Sequence, residues 1–269
     1  MNTKEIMQIA LDLVGFKEIP EDSEIYVEGD NIKSVLIGID IGVVELLLAR
    51  QMGVDAVIVH HPAGDSAILN FHKVLWKHKD LLIKYGVPED VAHKTVEPLV
   101  YNYMVENHRE NYDHTTSVAR LLDIPFMNIH NPCDEMGRRL MEKKLEESLD
   151  KNAALQDVKD CLNELEEFKT ALTDIEIRIG NPDNKAGKIA VVHGAGTNGG
   201  CDIAKTYFDY GINTVIYIHI KASELEKLKA KPSGNLIITG HIASDALGIN
   251  PFIHKLEESG INVFRVSGL

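Results

Sequence analysis

The stretch IKSVLIGIDIGVVELLLARQMGVDAVIVHHP, residues 32–62, decides the fold. IKSVLIGID (32–40) reads as a strand, VVELLLARQMG (43–53) as a helix ended by Gly53, and VDAVIVHH (54–61) as a second strand. Strand, helix and strand at this spacing imply a parallel pair joined by a right-handed crossover. Val57, Ile58 and Val59 are the β-branched filling of a strand buried on both faces. Pro62 cannot continue such a strand, so His60 and His61 stand at its carboxyl end. In open α/β sheets that edge is where ligands bind. The two imidazoles are either solvent-facing loop residues or a pair that the turning backbone brings to one point.

Working outward, the N-terminal segment has apolar spacing at Ile6, Ile9, Ala10, Leu13 and Val14, which suits an amphipathic helix. Glu5 and Asp12 fall inside its apolar region and no cleavage signature follows, so it does not read as a signal peptide. Helical texture covers 66–84, 95–107 and 115–122, and DIPFMNIHNP (123–132) reads as a short strand and turn. A charged, strongly helical stretch then runs from Cys133 to Leu172, its MEKKLEESLDK charges forming a solvated face. Beyond it strands and helices alternate again: strands at 173–182, at the start of 187–211, at 213–220 and from 235, and a last strand, INVFRVS. The expected fold is α/β, with two α/β lobes of mainly parallel strands. For the late segment to reach His60 and His61, residues 1–125 and 235–269 should form one lobe, with 126–234 inserted as the second.

The chain has 269 residues, 44% hydrophobic and 26% charged, as expected of a soluble globular protein. A formal charge of −13 argues against a partner such as nucleic acid or an anionic membrane held through bulk charge. No apolar run approaches the length needed to span a bilayer. Cys133, Cys161 and Cys201 are far apart and form no CxxC pair, which speaks against a disulfide framework and a cysteine-only zinc site. A cytoplasmic location is expected.

The pattern of the HHP block recurs later. LIITGHIASD is an apolar strand that breaks at a glycine and delivers His241, with Asp245 four residues on. On a helix those two lie one turn apart on one face and can share a metal, although Asp245 could equally be a first-turn acid favoured by the helix dipole. NHRENYDHTTS (107–117) offers His108, Asp113 and His114 between two helical segments, with Asp113 also placed to cap the second. VVHGAGTNGG contains GxGxxG at Gly194, Gly196 and Gly199 after a strand. The acid a dinucleotide site needs at the end of the next strand is missing, since that strand ends IYIHIK. A close-packed turn, or one that touches a phosphate-like group, fits better.

Taken in order, the 32–62 block, IRIGNPDNKAGKIAVVHGAGTNGG and NLIITGHIASD resemble the Nif-three-like family, many of whose members are described as GTP cyclohydrolase I type 2-like. The resemblance implies two divalent metal ions held by His60 and His61, by Asp113, and by His241 with Asp245. The late acid is aspartate where the family has glutamate, and reaches about one methylene less far. The family's middle motif reads HTNLD where this chain has HRENYD, which leaves His108 or His114 open as ligands beside or instead of Asp113. A mixed imidazole and carboxylate set suits Zn, Mn, Fe, Co or Ni and does not choose among them. The implied function is that of a metal-dependent hydrolase acting on a small nucleotide or phosphorylated ligand. The alternative is a non-catalytic metal-binding scaffold or metal-delivery protein. The resemblance further implies a homohexamer.

Overall fold

A computed structural model describes all residues, 1–269. Its strands are β1 (Glu24–Val27), β2 (Ser34–Gly38), β3 (Ala56–Val59), β4 (Phe126–Asn128), β5 (Glu176–Ile179), β6 (Ile189–Val192), β7 (Thr214–Tyr217), β8 (Asn235–Ile238) and β9 (Asn262–Val266). They form two sheets, in the orders β1-β4-β3-β2-β9 and β5-β8-β7-β6. The chain divides into two compact units. The first comprises Met1–Val74, Asn102–Met136 and Asp245–Leu269; the second comprises Leu75–Tyr101 and Gly137–Ser244.

In the first unit β3 is the central strand, parallel to β4 on one side and to β2 on the other. All four of its residues are buried, as its β-branched composition requires. The side-chain period of two separates its faces. Ile58, with Val35, Ile37 and Met127, packs against Ile6, Met7 and Ala10 of the helix Thr3–Val14 and Phe252, Ile253 and Leu256 of the helix His241–Glu258. Val57 and Val59, with Leu36 and Phe126, pack against Leu46 and Ala49 of the helix Val43–Met52 and Ala119 of the helix His114–Leu122. Helices on both faces leave the carboxyl ends of β2, β3 and β4 as the place where polar side chains gather. Asp40, His60 and His130 follow those three ends within two residues.

In the second unit β6, β7 and β8 are parallel neighbours and β5 runs antiparallel to β8. Ala190, Val215, Leu236 and Ile237 are fully buried there, together with Tyr207 of the helix Gly200–Asp209. The carboxyl ends of its parallel strands again lead to histidines: His193 after β6, His219 after β7 and His241 after β8.

The α/β architecture with two mainly parallel sheets is the one expected, and several elements differ in detail. β1, EIYV, is an edge strand that pairs antiparallel with β4 across a register shift; four residues of mixed exposure give no clear alternation to read. The charged stretch after Cys133 is three helices, Asn131–Ser148, Leu155–Leu162 and Glu166–Thr170. The first break is fixed by backbone pairing, with Leu155 N–H donating to Asn184 O and Ala186 N–H to Ala153 O. The helix His241–Glu258 runs through Pro251 without ending, because buried Leu247, Ile249, Phe252 and Ile253 hold both of its halves in the core. β8 pairs with β5 and β7, so the chain re-enters the first unit at Asp245 and not at 235, and Leu75–Tyr101 belongs to the second unit.

Candidate metal centre

The site grows out of the way β3 ends. Backbone pairing with the neighbouring strand continues past Val59: His60 N–H donates to Gly38 O and His61 N–H to Ile39 O. Consecutive residues are therefore held in extended register, and the two rings lie with centroids 5.1 Å apart. From β4, Ile129 N–H donates to Val59 O, which aligns His130 beside His60, their centroids 4.8 Å apart. Three imidazoles thus come from the ends of two adjacent strands, and their nitrogens form a group of potential ligand atoms within 4.8 Å of one another.

Each ring is oriented by an oxygen acceptor at Nδ1. His60 Nδ1 lies 3.0 Å from Ile129 O, His61 Nδ1 2.7 Å from Asp40 Oδ1, and His130 Nδ1 2.7 Å from Asp22 Oδ2. An acceptor at Nδ1 places the ring proton there and leaves the Nε2 lone pair directed at the cluster, the arrangement that metal-ligating histidines require. Asp22 is itself fixed: it is fully buried, its carbonyl accepts from Asn128 Nδ2 at 2.6 Å, and Tyr26 Oη donates to Asn128 Oδ1 at 2.7 Å.

Two buried carboxylates face these Nε2 atoms. His60 Nε2 is 3.1 Å from Asp134 Oδ1 and 3.8 Å from Asp245 Oδ2; His61 Nε2 is 3.5 Å from Asp245 Oδ2; His130 Nε2 is 3.6 Å from Asp134 Oδ2. Asp134 stands four residues after His130 at the start of the helix Asn131–Ser148, and Asp245 stands in the first turns of the helix His241–Glu258. Two ligands that share an ion at about 2.0–2.2 Å in tetrahedral geometry lie roughly 3.3–3.5 Å apart, and the observed separations bracket that value. His60, Asp134 and Asp245 form a second group of potential ligands, all three buried. The donor set fits a divalent ion.

Without an ion the same geometry holds protons. Burial works against charging His130, yet Asp134 and Asp22 outweigh it and lift its pKa to about 9. Burial likewise opposes the charging of His61, and its contact with Asp245 overcomes that opposition, so its pKa is raised.

Of the residues expected from the sequence, His60, His61 and Asp245 come together. His241 joins them: it opens the helix that carries Asp245, one turn before it, and offers a ligand atom within 4.8 Å of Asp245's carboxylate oxygen. Asp113 stands apart: it is exposed at the N-cap position of the helix His114–Leu122 and takes part in none of the candidate ligand groups. His108 and His114 are exposed and also outside those groups. The middle carboxylate next to His60 is Asp134, and the third imidazole is His130. Neither was singled out in the sequence, although HNPCD (130–134) repeats the HxxxD spacing of HIASD (241–245) and begins where β4 ends.

A two-unit α/β chain whose first parallel sheet ends in three imidazoles and two buried carboxylates defines a class with a possible metal site. The whole chain matches the NIF3 superfamily protein from Sphaerobacter thermophilus at 50% identity, covering 100% of this chain and 99% of that one, with a TM-score of 0.98. The chain belongs to the NIF3 superfamily. It shares the fold with reduced HcgD from Methanocaldococcus jannaschii, at 13% identity, 98% and 97% coverage and a TM-score of 0.58. It also shares it with the protein ybgI, at 15% identity, 99% and 98% coverage and a TM-score of 0.57. No family model matches the chain, and no curated protein does. No helix is long and apolar enough to cross a membrane.

Replacing either carboxylate by its amide keeps size and removes charge. Asp134→Asn and Asp245→Asn should each lower the metal content of purified protein by at least half, read by elemental analysis. Asp123→Asn changes only the left-handed C-cap residue of the helix His114–Leu122 and should leave it unchanged.

Binding should also depend on pH in a defined direction. His130 titrates at about 9, so its ring is protonated at pH 7, whereas a ligand must offer a bare Nε2. Metal uptake at pH 7 should therefore release protons, and affinity should rise as pH approaches 9. Calorimetry in buffers of different ionisation enthalpy measures this, and uptake without proton release would show that the rings do not bind the ion.

Proposed function

We propose that this protein holds a pair of divalent ions at the end of β3 and acts as a metal-dependent hydrolase of the GTP cyclohydrolase I type 2-like kind, on a small nucleotide or phosphorylated ligand. The observation that carries the reading is the convergence of three Nε2 atoms, each fixed by an acceptor at Nδ1, on two buried carboxylates. His60, His61, His130, Asp134 and Asp245 would hold the ions. Bound divalent ions supply Lewis acidity towards a phosphoryl or carbonyl oxygen and favour deprotonation of water near neutral pH.

The residues of the chain account for access and orientation. His61 is the most open of the three rings, its side chain 24% exposed, while the side chains of His60 and Asp245 are 2% and 1% exposed. It borders a cavity of about 380 Å³, lined also by Asp40, Glu45, Pro62 and Ser267. Two carboxylates at that cavity repel a phosphorylated ligand unless cations offset them, so binding of such a ligand should require loaded metal. Asp40 fixes the His61 ring at Nδ1 and so holds the exposed edge of the cluster in one orientation.

The burial of Asp134 and Asp245 favours a second reading, a metal-binding scaffold or metal-delivery protein, because a buried site protects an ion better than it admits a substrate. The two readings differ in turnover. Metal-loaded protein assayed against nucleoside triphosphates and phosphomonoesters should hydrolyse at least one of them, with activity lost in Asp245→Asn. Tight metal binding with no turnover for any metal would select the scaffold.

A homo-oligomer is part of the same proposal. The helix Val43–Met52 exposes Val44 (71%), Leu47 (51%), Leu48 (41%) and Met52 (43%) at i, i+3, i+4 and i+8, an apolar stripe on its outer face. A second copy of the chain would cover that stripe in the hexamer proposed. Sedimentation of wild type should give a mass of six chains, and Leu47→Glu should shift it to smaller species.

A further inference from the structure

A cavity of about 280 Å³ opens beside β6, and every residue that lines it belongs to the second unit. β6 is the edge strand of its sheet, so one side of it has no neighbouring strand. Ile189 and Val191, two residues apart, give one face of that strand to the cavity. Leu145 and Leu149, one turn apart at the end of the helix Asn131–Ser148, supply a second apolar wall. Ala153 and Ala186, tied by Ala186 N–H donating to Ala153 O at 2.9 Å, add side chains of a single carbon that leave the space open.

The polar part of the lining is a charge cluster built on Glu142. Lys84 Nζ lies 2.9 and 3.0 Å from its two carboxylate oxygens, Tyr85 Oη donates to Oε1 at 2.9 Å, and Arg138 Nη1 is 2.6 Å from Oε2. Burial, and after it the charge of Glu142, hold the Tyr85 pKa well above that of an ordinary phenol, so the hydroxyl stays protonated and keeps donating. Two cations on one carboxylate leave one positive charge in excess. The side chains of Glu142 and Arg138 are 17% and 8% exposed and that of Lys84 is 49% exposed, so the excess is presented through Lys84. Its ammonium has three N–H donors, one more than Glu142 has oxygens. Glu146, Asp150 and Lys151 also border the cavity, but they are exposed, where water and salt screen them. The less exposed cluster therefore sets the sign of the ligand.

We propose that this cavity binds a small apolar carboxylate, with its hydrocarbon chain against Leu145, Leu149, Ile189 and Val191 and its carboxylate on Lys84. Apolar walls with a few placed polar groups are the usual make-up of a small-molecule site. The chain contributes through the apolar area it removes from water, and the ammonium–carboxylate contact selects the charge. An amine of the same shape would bring a third cation to a carboxylate that already serves two. None of the candidate metal ligands lines the cavity, so this site stands apart from the metal reading and either can fail without the other.

The test uses the full chain with 13C-labelled methyl groups, zinc-loaded and metal-free, and sodium octanoate, octan-1-ol and octylammonium as probes. The Ile189 δ1-methyl signal, assigned by its loss in Ile189→Val, reports the cavity. Octanoate should move it saturably with a Kd of about 1 mM or below, as suits a ligand of about ten heavy atoms, and equally in both metal states. Octylammonium should bind about tenfold more weakly or not at all, as the loss of a hydrogen bond between charged groups implies. Lys84→Gln should weaken octanoate by the same factor of about ten and leave octan-1-ol within about twofold of wild type. Octylammonium bound as tightly as octanoate, an Ile189 signal that octanoate leaves in place, or octanoate binding that vanishes in metal-free protein would overturn the proposal. The order of the three probes on wild type decides the matter even if Lys84→Gln fails to fold.

Discussion

Lone pairs aimed at lone pairs are what the rest of the first unit is built to hold. Three imidazoles donate at Nδ1 to Ile129 O, Asp40 and Asp22, so in the neutral rings the Nε2 atoms face Asp134 and Asp245 as acceptors facing acceptors at 3.1 to 3.8 Å. Such an arrangement is repulsive unless a positive charge stands among the atoms. Protons can supply it, which is why His130 is drawn up to about 9. A divalent ion supplies it with the right spacing as well as the right charge.

Much of the fold serves to keep that repulsion in place. β3 is central, buried on both faces and tied on each side to a parallel neighbour, so its end cannot move away from the ends of β2 and β4. The loop that brings Asp22 is pinned through Asn128 and Tyr26, and Ser23 Oγ accepts from His130 N–H at 3.0 Å. Asp245 enters on a helix whose Ile249, Phe252, Ile253 and Leu256 belong to the core beneath the sheet. The apolar packing of that helix, far larger in sum than any one electrostatic contact, presses a buried carboxylate towards two imidazoles. The second unit uses the same strand-end placement of histidines, with Asn198 Nδ2 held against His219 Nδ1 at 2.8 Å.

The βαβ block and the HHP ending were legible because their signals are local: a β-branched run, a glycine-ended helix and a proline that stops a strand. Asp245 was legible for the same reason, through the HxxxD spacing after a broken strand. His130 and Asp134 were hidden because β4 is only three residues long and its flanking sequence reads as a turn leading into a charged helix. Asp22, Asp40 and Asn128 act through contacts with residues 21 to 108 positions away, and no window of sequence carries such pairings. Asp113 was drawn in by a family motif that the chain matches imperfectly, and locally it does what its position before Thr115 and Thr116 suggests, standing at the start of a helix. The pairing of β8 with β5 and β7 cannot be read from the strand itself, since both partners lie far away in sequence.

The account turns on whether the converging Nε2 atoms share a cation. Crystals grown with cobalt or zinc, with data collected at the metal's absorption edge, locate the ion directly through anomalous scattering. The account predicts density within about 2.0–2.2 Å of Nε2 of His60 or His130 and of an oxygen of Asp134 or Asp245. Density bonded instead to Nδ1 atoms, to Asp113 or to surface histidines, or none at the end of β3, would contradict it.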